Sequence, residues 1–357
     1  MASDAGMRFH LEGPIVEPGR HTHPQLELAE TFRRRLDGVE GAESIRQMVG
    51  FVYEHSSITQ RHVEMEQVEA HRRADWIRQV NEATLGMAQR TLERVFATGV
   101  DPGQIDGLVV VSSSYVGFPS LGRILQARLG IHPDALCYDL TGLGCAGPTH
   151  GLHLANLLLQ GDRRRVCVVC VDAMATHGES RVHHTVPTMS QVVAHCLASD
   201  GAAAVVVGRE PSERSVLSWE KCEFHSRLWA GTLAENDFTA SEDGQPFMAV
   251  GKGIRTRLTE ELLPVLEGVE PETTLFHPGG AALMRILGEA RPDLQSTIDL
   301  SSEVLSRHGN IGSASVLWVL DEALRRTMPR GPSLRLVALG PGIVSSMLSL
   351  TGVQGPG

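Results

Sequence analysis

Lysine is almost missing from this chain. Of its 32 basic residues only Lys221 and Lys252 are lysines, the rest being arginine, a bias of coding composition more than of function. Positive charge is not in excess either. The formal net charge is −10, which argues against general nucleic-acid binding. No apolar run approaches the roughly 18 to 20 residues that span a bilayer. The opening MASDAGMRFHLEG lacks the basic start and apolar core of a secretion signal. Six cysteines (Cys137, Cys145, Cys167, Cys170, Cys196 and Cys222) show no disulfide-framework spacing, so a reducing, cytoplasmic setting is expected. None of the 16 histidines has partners at zinc-site spacing. Cys167 and Cys170 form a CxxC, but inside the apolar run VCVVCVDAM, where strand alternation points them to opposite faces. The sequence therefore predicts no membrane, nucleic-acid or metal partner.

What is present is a globular composition, 42% hydrophobic and 21% charged over 357 residues, long enough for two domains or one duplicated one. HRRADWIRQVNEATLGMAQRTLERVFATGV reads as a long amphipathic helix. Strand and helix patterns then alternate through IDGLVVVSSS, SLGRILQARLG, LCYDL, the helix after Cys145, VCVVCVDAM and AAAVVVG. That alternation predicts a largely parallel, buried sheet. The order repeats coarsely in IRTRLTEELLPVL, TTLFHPGG, AALMRILGEA, ASVLWVLDEALRR and LRLVALGPGIVSSMLSL. Two halves are expected, 1–209 and 210–357. The arginine clusters at 33–35, 72–73 and 163–165 read as solvated helix ends, and any one of them can also meet a phosphate-bearing substrate.

Three junctions share a design: an apolar element end, glycines, then a polar residue. In DLTGLGCAGPTHGLHLANLLLQG, Cys145 stands between a strand and an apolar helix whose first turn takes Pro148. The helix N-terminus would lower the thiol pKa; on this stretch alone a buried structural cysteine fits equally well. His277 ends the strand of TTLFHPGG, and Asn310 lies in the glycine-bounded turn of SRHGNIGSASVLWVLDE. Together they supply a nucleophile, a proton acceptor and a neutral donor to a developing oxyanion. Papain-like proteases use the same residue types in the same order, but their local cysteine signature is missing here.

Taken together, SSITQRHVEM, GFPS at 117–120, GLGCAG at 142–147, DGAAAVVVG at 200–208, HPGG at 277–280, GNIGSASVLWVLDE at 309–322 and GPG at 340–342 resemble the thiolase superfamily. Within it, the chain resembles the chalcone-synthase-like, type III polyketide synthases over more than four fifths of its length. β-Ketoacyl carrier-protein synthase III shares the fold and triad but usually shows an HQAN-type motif where HPGG stands here.

The resemblance implies an α/β, thiolase-like duplicated αβαβα layered fold and a homodimer. It implies that Cys145 accepts an acyl group as a thioester while His277 pairs with its thiolate. His277 and Asn310 would then hold a malonyl thioester carbonyl during decarboxylation, so that the enolate attacks the acyl-Cys145 carbonyl. That is a decarboxylative Claisen condensation with no metal or dissociable cofactor, coenzyme A or acyl-carrier thioesters being the substrates. Phe118 would cross to the partner subunit's cavity, Gly340, Pro341 and Gly342 would wall the site, and Arg61 is the candidate for coenzyme A phosphates. Ala198 stands where a gatekeeper phenylalanine is usual, Gly312 where serine or another small residue is common, and Phe247 is a second gatekeeper candidate, with Met174 and His177 near the cavity. Ala198 and Gly312 together predict an enlarged cavity for a long or branched acyl starter. Three alternatives remain open: a ketosynthase or acyltransferase on carrier-protein-bound chains without malonyl extension, a non-catalytic partner subunit, or a cysteine hydrolase.

Overall fold

The computed structural model describes residues 7–65, 73–179, 186–233, 238–240, 246–248, 257–326 and 331–355. In chain order its strands are β1 (Phe9–Pro18), β2 (His21–Pro24), β3 (Gln60–Val63), β4 (Gly107–Val111), β5 (Leu136–Leu140), β6 (Arg165–Ala173) and β7 (Asp200–Gly208). They continue with β8 (Ser215–Trp219), β9 (Lys221–Leu228), β10 (Phe238–Ala240), β11 (Pro246–Met248), β12 (Thr274–Phe276), β13 (Ser333–Gly340) and β14 (Val344–Thr351). The helices are α1 (Gln25–Arg35), α2 (Glu43–Glu54), α3 (Arg73–Ala97), α4 (Leu121–Arg128), α5 (Gly147–Gln160) and α6 (Met174–Glu179). After them come α7 (Met189–Leu197), α8 (Ala281–Ala290), α9 (Gln295–His308) and α10 (Ser315–Arg325).

Five layers follow from which faces are apolar. A six-stranded sheet has the order β5-β4-β6-β7-β1-β8, and a four-stranded sheet the order β12-β13-β14-β9. Between them lie α5 and α10. Leu152, Ala155 and Leu159 of α5 and Val316 to Ala323 of α10 share one core with residues of both sheets. The outer face of the first sheet is covered by α3 and α4, through Val80, Met87, Leu92, Leu121 and Leu125. The outer face of the second is covered by α8, α9 and the segment Leu258–Leu266, through Met284, Leu287 and Ile298. This is the αβαβα arrangement. Cys167 packs on the outer face of β6 and Cys170 on the inner one, as strand alternation requires.

Two expectations need correction. The first sheet is mixed, not largely parallel: β4 runs parallel to β5 and β6, but β7 pairs antiparallel with β6 and β1, and β1 antiparallel with β8. The direction first reverses between β6 and β7, and the N-terminal β1 then enters antiparallel between β7 and β8. Second, the described part of IRTRLTEELLPVL is not a regular α-helix. Leu258–Leu262 forms a π-helical turn and Leu263–Leu266 a 3-10 turn, where Pro264 supplies no N–H to the α-helical pattern. β8 lies beyond residue 210 yet belongs to the first sheet, so sheet membership changes after Trp219. No helix among the described residues is long and apolar enough to cross a membrane.

Candidate active site

Cys145 lies in a 3-10 turn, Gly144–Ala146, that joins β5 to α5, with Pro148 in the first turn of the helix. Gly144 has φ +47° and gives its N–H to Ser113 Oγ at 3.1 Å. A Cβ there would stand 2.7 Å from Pro341 Cδ, so the turn and the GPG segment are in close contact only because Gly144 has no side chain. Gly340 closes the same contact, since a Cβ on it would meet Ala146 Cβ and the Leu143 carbonyl at 2.8 Å. The wall expected from Gly340, Pro341 and Gly342 is thus packed directly on the cysteine turn by its first two residues. Gly342 faces Leu228 and Leu233 instead.

β12 is parallel to β13, pairing Phe276 with Val337, and the His277 N–H bonds the Val337 carbonyl at 2.8 Å. His277 therefore leaves its strand beside the stretch of β13 that runs on to Gly340. The imidazole is buried, and its Nδ1 has no hydrogen-bond partner. Asn310 follows α9 and is clamped by its backbone: its N–H bonds the Leu197 carbonyl and its own carbonyl takes the Ser199 N–H, both at 2.9 Å. Its side-chain Oδ1 accepts from Gly312 N–H (3.0 Å) and Ser315 Oγ (3.3 Å), and lies 3.9 Å from Cys145 Sγ. With the carbonyl oxygen so engaged, the amide NH2 is what remains to donate to a ligand. The structure thus joins Cys145 to Asn310 directly, and His277 to the Cys145 turn through β13.

Electrostatics at the cysteine differ from expectation. Burial, and after it the Asp172 carboxylate, pushes the Cys145 thiol up to about 12 despite the Asn310 contact. Burial pushes His277 down to about 3. Both shifts favour the uncharged forms, a thiol and a neutral imidazole, over the ion pair. The helix N-terminus does not overcome desolvation here, because moving a charge out of water costs more than a partial charge at a helix end returns.

Arg61 is not placed to meet coenzyme A phosphates. It is 1% exposed, bonds Gln25 Oε1 at 2.8 Å and the carbonyls of His195 and Ala198, and lies over the Tyr53 ring. It ties β3 to the end of α7. Gly312 opens no space either: its φ is +59°, and a Cβ would stand 2.6 Å from Asp172 Oδ2. Of the two positions expected to enlarge the cavity, Gly312 therefore adds no volume. Ala198 is buried and forms a parallel bridge with Asn310, which sets it beside the Asn310 main chain. Phe118 is fully exposed in the loop before α4. Met174 opens α6, while His177 and Phe247 are placed by their backbones alone, on α6 and β11.

Sequence reading missed Asp172, Ser113, Ser313 and Ser315. The available signal was a polar residue closing each apolar strand, SSS after β4 and D after VCVVCV, and two serines three and five positions after Asn310.

A family profile described as "FAE1/Type III polyketide synthase-like protein" matches residues 23–224, more than half of the chain. The chain belongs to this family. It is accordingly an acyltransferase of secondary metabolism, and its reaction is the decarboxylative Claisen condensation of an acyl-cysteine thioester with malonyl-derived units. The family acts on coenzyme A thioesters. The chain is 28% identical over 281 residues to a 1,3,6,8-tetrahydroxynaphthalene synthase of Streptomyces peucetius subsp. caesius, spanning 74% of this chain and 72% of that protein. Its fold matches germicidin synthase from Streptomyces coelicolor, a type III polyketide synthase, with TM-score 0.81 and 21% identity over 96% of this chain and 99% of that one. It also matches CsyB complexed with CoA-SH, with TM-score 0.81 and 20% identity over 96% and 100% of the two chains.

Proposed function

We propose that Cys145 is the residue acylated in this condensation, with His277 and Asn310 as its partners. The Sγ proton moves to His277, the thiolate attacks the carbonyl of an acyl thioester, and the departing thiol takes the proton back. A malonyl thioester then lays its carbonyl against His277 and the Asn310 NH2. Its carboxylate leaves as CO2, and the two groups hold the charge of the enolate oxygen. The enolate carbon bonds to the acyl carbon as the Cys145 thiolate departs. The observation that supports this reading most is the donor arithmetic at Asn310: Oδ1 is held by Gly312 and Ser315, so the amide is oriented before a substrate arrives.

Coenzyme A is the proposed carrier of the malonyl unit. An acyl carrier protein is the further donor proposed for the starter, since the arginine assigned to phosphates is buried. The active form is proposed to be a cytoplasmic homodimer of chains divided near residue 210. Phe118 is its cross-subunit residue. In the test, the enzyme is incubated with an acyl thioester and its peptides are weighed. The acyl mass is expected on the Cys145 peptide and is lost in Cys145→Ala, together with CO2 release from labelled malonyl-CoA. Acylation mapped to Cys137, Cys196 or Cys222 overturns the assignment.

A further inference from the structure

We infer that Asp172 is a positioning residue that fixes the Cys145 turn and the Asn310 turn relative to one another, an inference that rests on the triad roles proposed above. Asp172 is fully buried, near the end of β6, a strand flanked by neighbours on both sides. Its two oxygens face in different directions. Oδ1 accepts the Ser113 N–H at 2.7 Å and lies 3.4 Å from Ser114 Oγ. Oδ2 accepts the Ser313 N–H at 2.7 Å. From Oδ1 the path continues through Ser113, whose Oγ takes the Gly144 N–H next to Cys145. From Oδ2 it continues through the 3-10 turn Gly312–Ala314, whose Gly312 N–H holds Asn310 Oδ1. One carboxylate thereby bridges the turn of the nucleophile and the turn of the oxyanion donor.

The chemistry of the three groups reaching Asp172 explains why an acid is needed. All are donors, so the position calls for a group that only accepts. A carboxylate does so, whereas an amide has one oxygen and one NH2 and must leave one backbone N–H facing a donor. A missing side chain at 312 is part of the same device, because any Cβ there would displace Oδ2. Burial pushes the Asp172 carboxyl up, and the N–H groups of Ser313 and Ser113 act against that shift. Its charge is also felt at the nucleophile, where it raises the Cys145 thiol. Asp172 therefore has two separable effects. It orders both turns, and it makes the thiolate harder to form.

Those effects have opposite signs in one variant. In Asp172→Asn the negative charge is gone, so the pH inflection of Cys145 alkylation by iodoacetamide is expected to fall. Turnover is expected to fall at the same time. The kcat for CO2 release from malonyl-CoA with a hexanoyl thioester starter should drop on the order of 10- to 100-fold with KM within about twofold, as for a misplaced catalytic group. A residue that served stability alone would lower the melting temperature and leave kcat within about twofold of the parent at a temperature where the variant is folded. An inflection that stays or rises, or a kcat within about twofold of the parent, overturns the proposal.

Ser113→Ala tests the link by a second route should Asp172→Asn not fold. It keeps the charge but frees the Gly144 N–H, so the inflection is expected to hold while kcat falls about tenfold. A Ser113→Ala enzyme with parental kcat also overturns the proposal. Peptide mapping of the alkylated cysteine separates this outcome from a failure of the triad reading, which would place the label on another cysteine in the parent enzyme itself.

Discussion

Arg61 shows what a single side chain does when its environment is fixed from several directions. Its guanidinium meets Gln25 Oε1 and two main-chain carbonyls, those of His195 and Ala198, the second belonging to the residue bridged to Asn310. Replacing it by leucine leaves those acceptors buried without donors, at about 1 to 3 kcal/mol for each that water does not reach. Arg61→Leu is therefore expected to lose at least about 3 kcal/mol of stability in denaturant titration, with the KM ratio between coenzyme A and pantetheine thioesters unchanged. A rise in that ratio with parental stability would return Arg61 to phosphate binding. The residue shows why the sequence was legible at Cys145 and not here. The glycines and proline around Cys145 are local signals of a strained turn at a helix start, so neighbours alone reveal it. Arg61 in QRHV carries no local sign of burial, because its partners lie at positions 25, 195 and 198. Gly312 was misread for the same reason: the atom that excludes a Cβ belongs to Asp172.

At the scale of elements, the end of α9 is held to the β2–β3 hairpin by a histidine pair. His62 Nε2 lies 2.9 Å from His308 Nδ1, and His62 Nδ1 lies 3.0 Å from Thr22 Oγ1. Both rings lie beside Trp318 of α10. Asn310 follows His308 after one glycine, so this contact sets where the Asn310 turn begins. Burial brings both imidazoles down from 6.5 to about 4, with the neighbouring His62 and Arg307 lowering His308 further. For a base whose folded pKa is depressed, the unfolded chain binds the proton more readily. The stability is whole above the unfolded value and is lost as pH falls from there toward the folded one. Between about pH 6.5 and about pH 5, His62 alone is expected to cost on the order of 2 kcal/mol. His62→Asn removes that titration, so its deficit in melting temperature against the parent should narrow on acidification. A deficit independent of pH would show that His62 does not titrate in this window. The alternation that placed the central strands and α5 was readable, but nothing in DGAAAVVVG marks it as running against β6, and nothing in FHLEGPIVEP marks it as a strand of the same sheet. β1 joins by antiparallel pairing to β7 and β8, partners roughly two hundred positions away.

For the whole molecule, the open question is what covers the β5 edge. β5 ends the first sheet, and it leads directly into the Cys145 turn, so any chain that pairs with it borders the nucleophile. Tyr138 on that strand is 41% exposed, and the loop before α4 presents Val116 and a fully exposed Phe118. The loop is already fixed in place: Asn81 bonds both the N–H and the carbonyl of Val116, at 2.9 and 2.6 Å, and Tyr115 Oη bonds the Pro119 carbonyl at 3.1 Å. A fixed loop loses little entropy on docking, and an aromatic ring that large contributes strongly when buried. A bare edge strand is also an unsatisfied row of hydrogen-bonding groups. Both features are accounted for by the proposed homodimer, in which β5 meets β5 of a second copy about a two-fold axis and Phe118 passes into the neighbouring subunit. Phe118→Glu puts a charge where an apolar cavity is proposed, at several kcal/mol if the group is desolvated. The parent is expected to sediment as a dimer at micromolar concentration, and the variant to shift toward monomer with a matching loss of CO2 release. Mixing the variant with an excess of Cys145→Ala chains separates the two roles. Heterodimers would restore the edge contact and return an intact Phe118 to the active subunit, so activity per variant chain should rise. A variant that is monomeric and fully active would mean that one chain completes its own site.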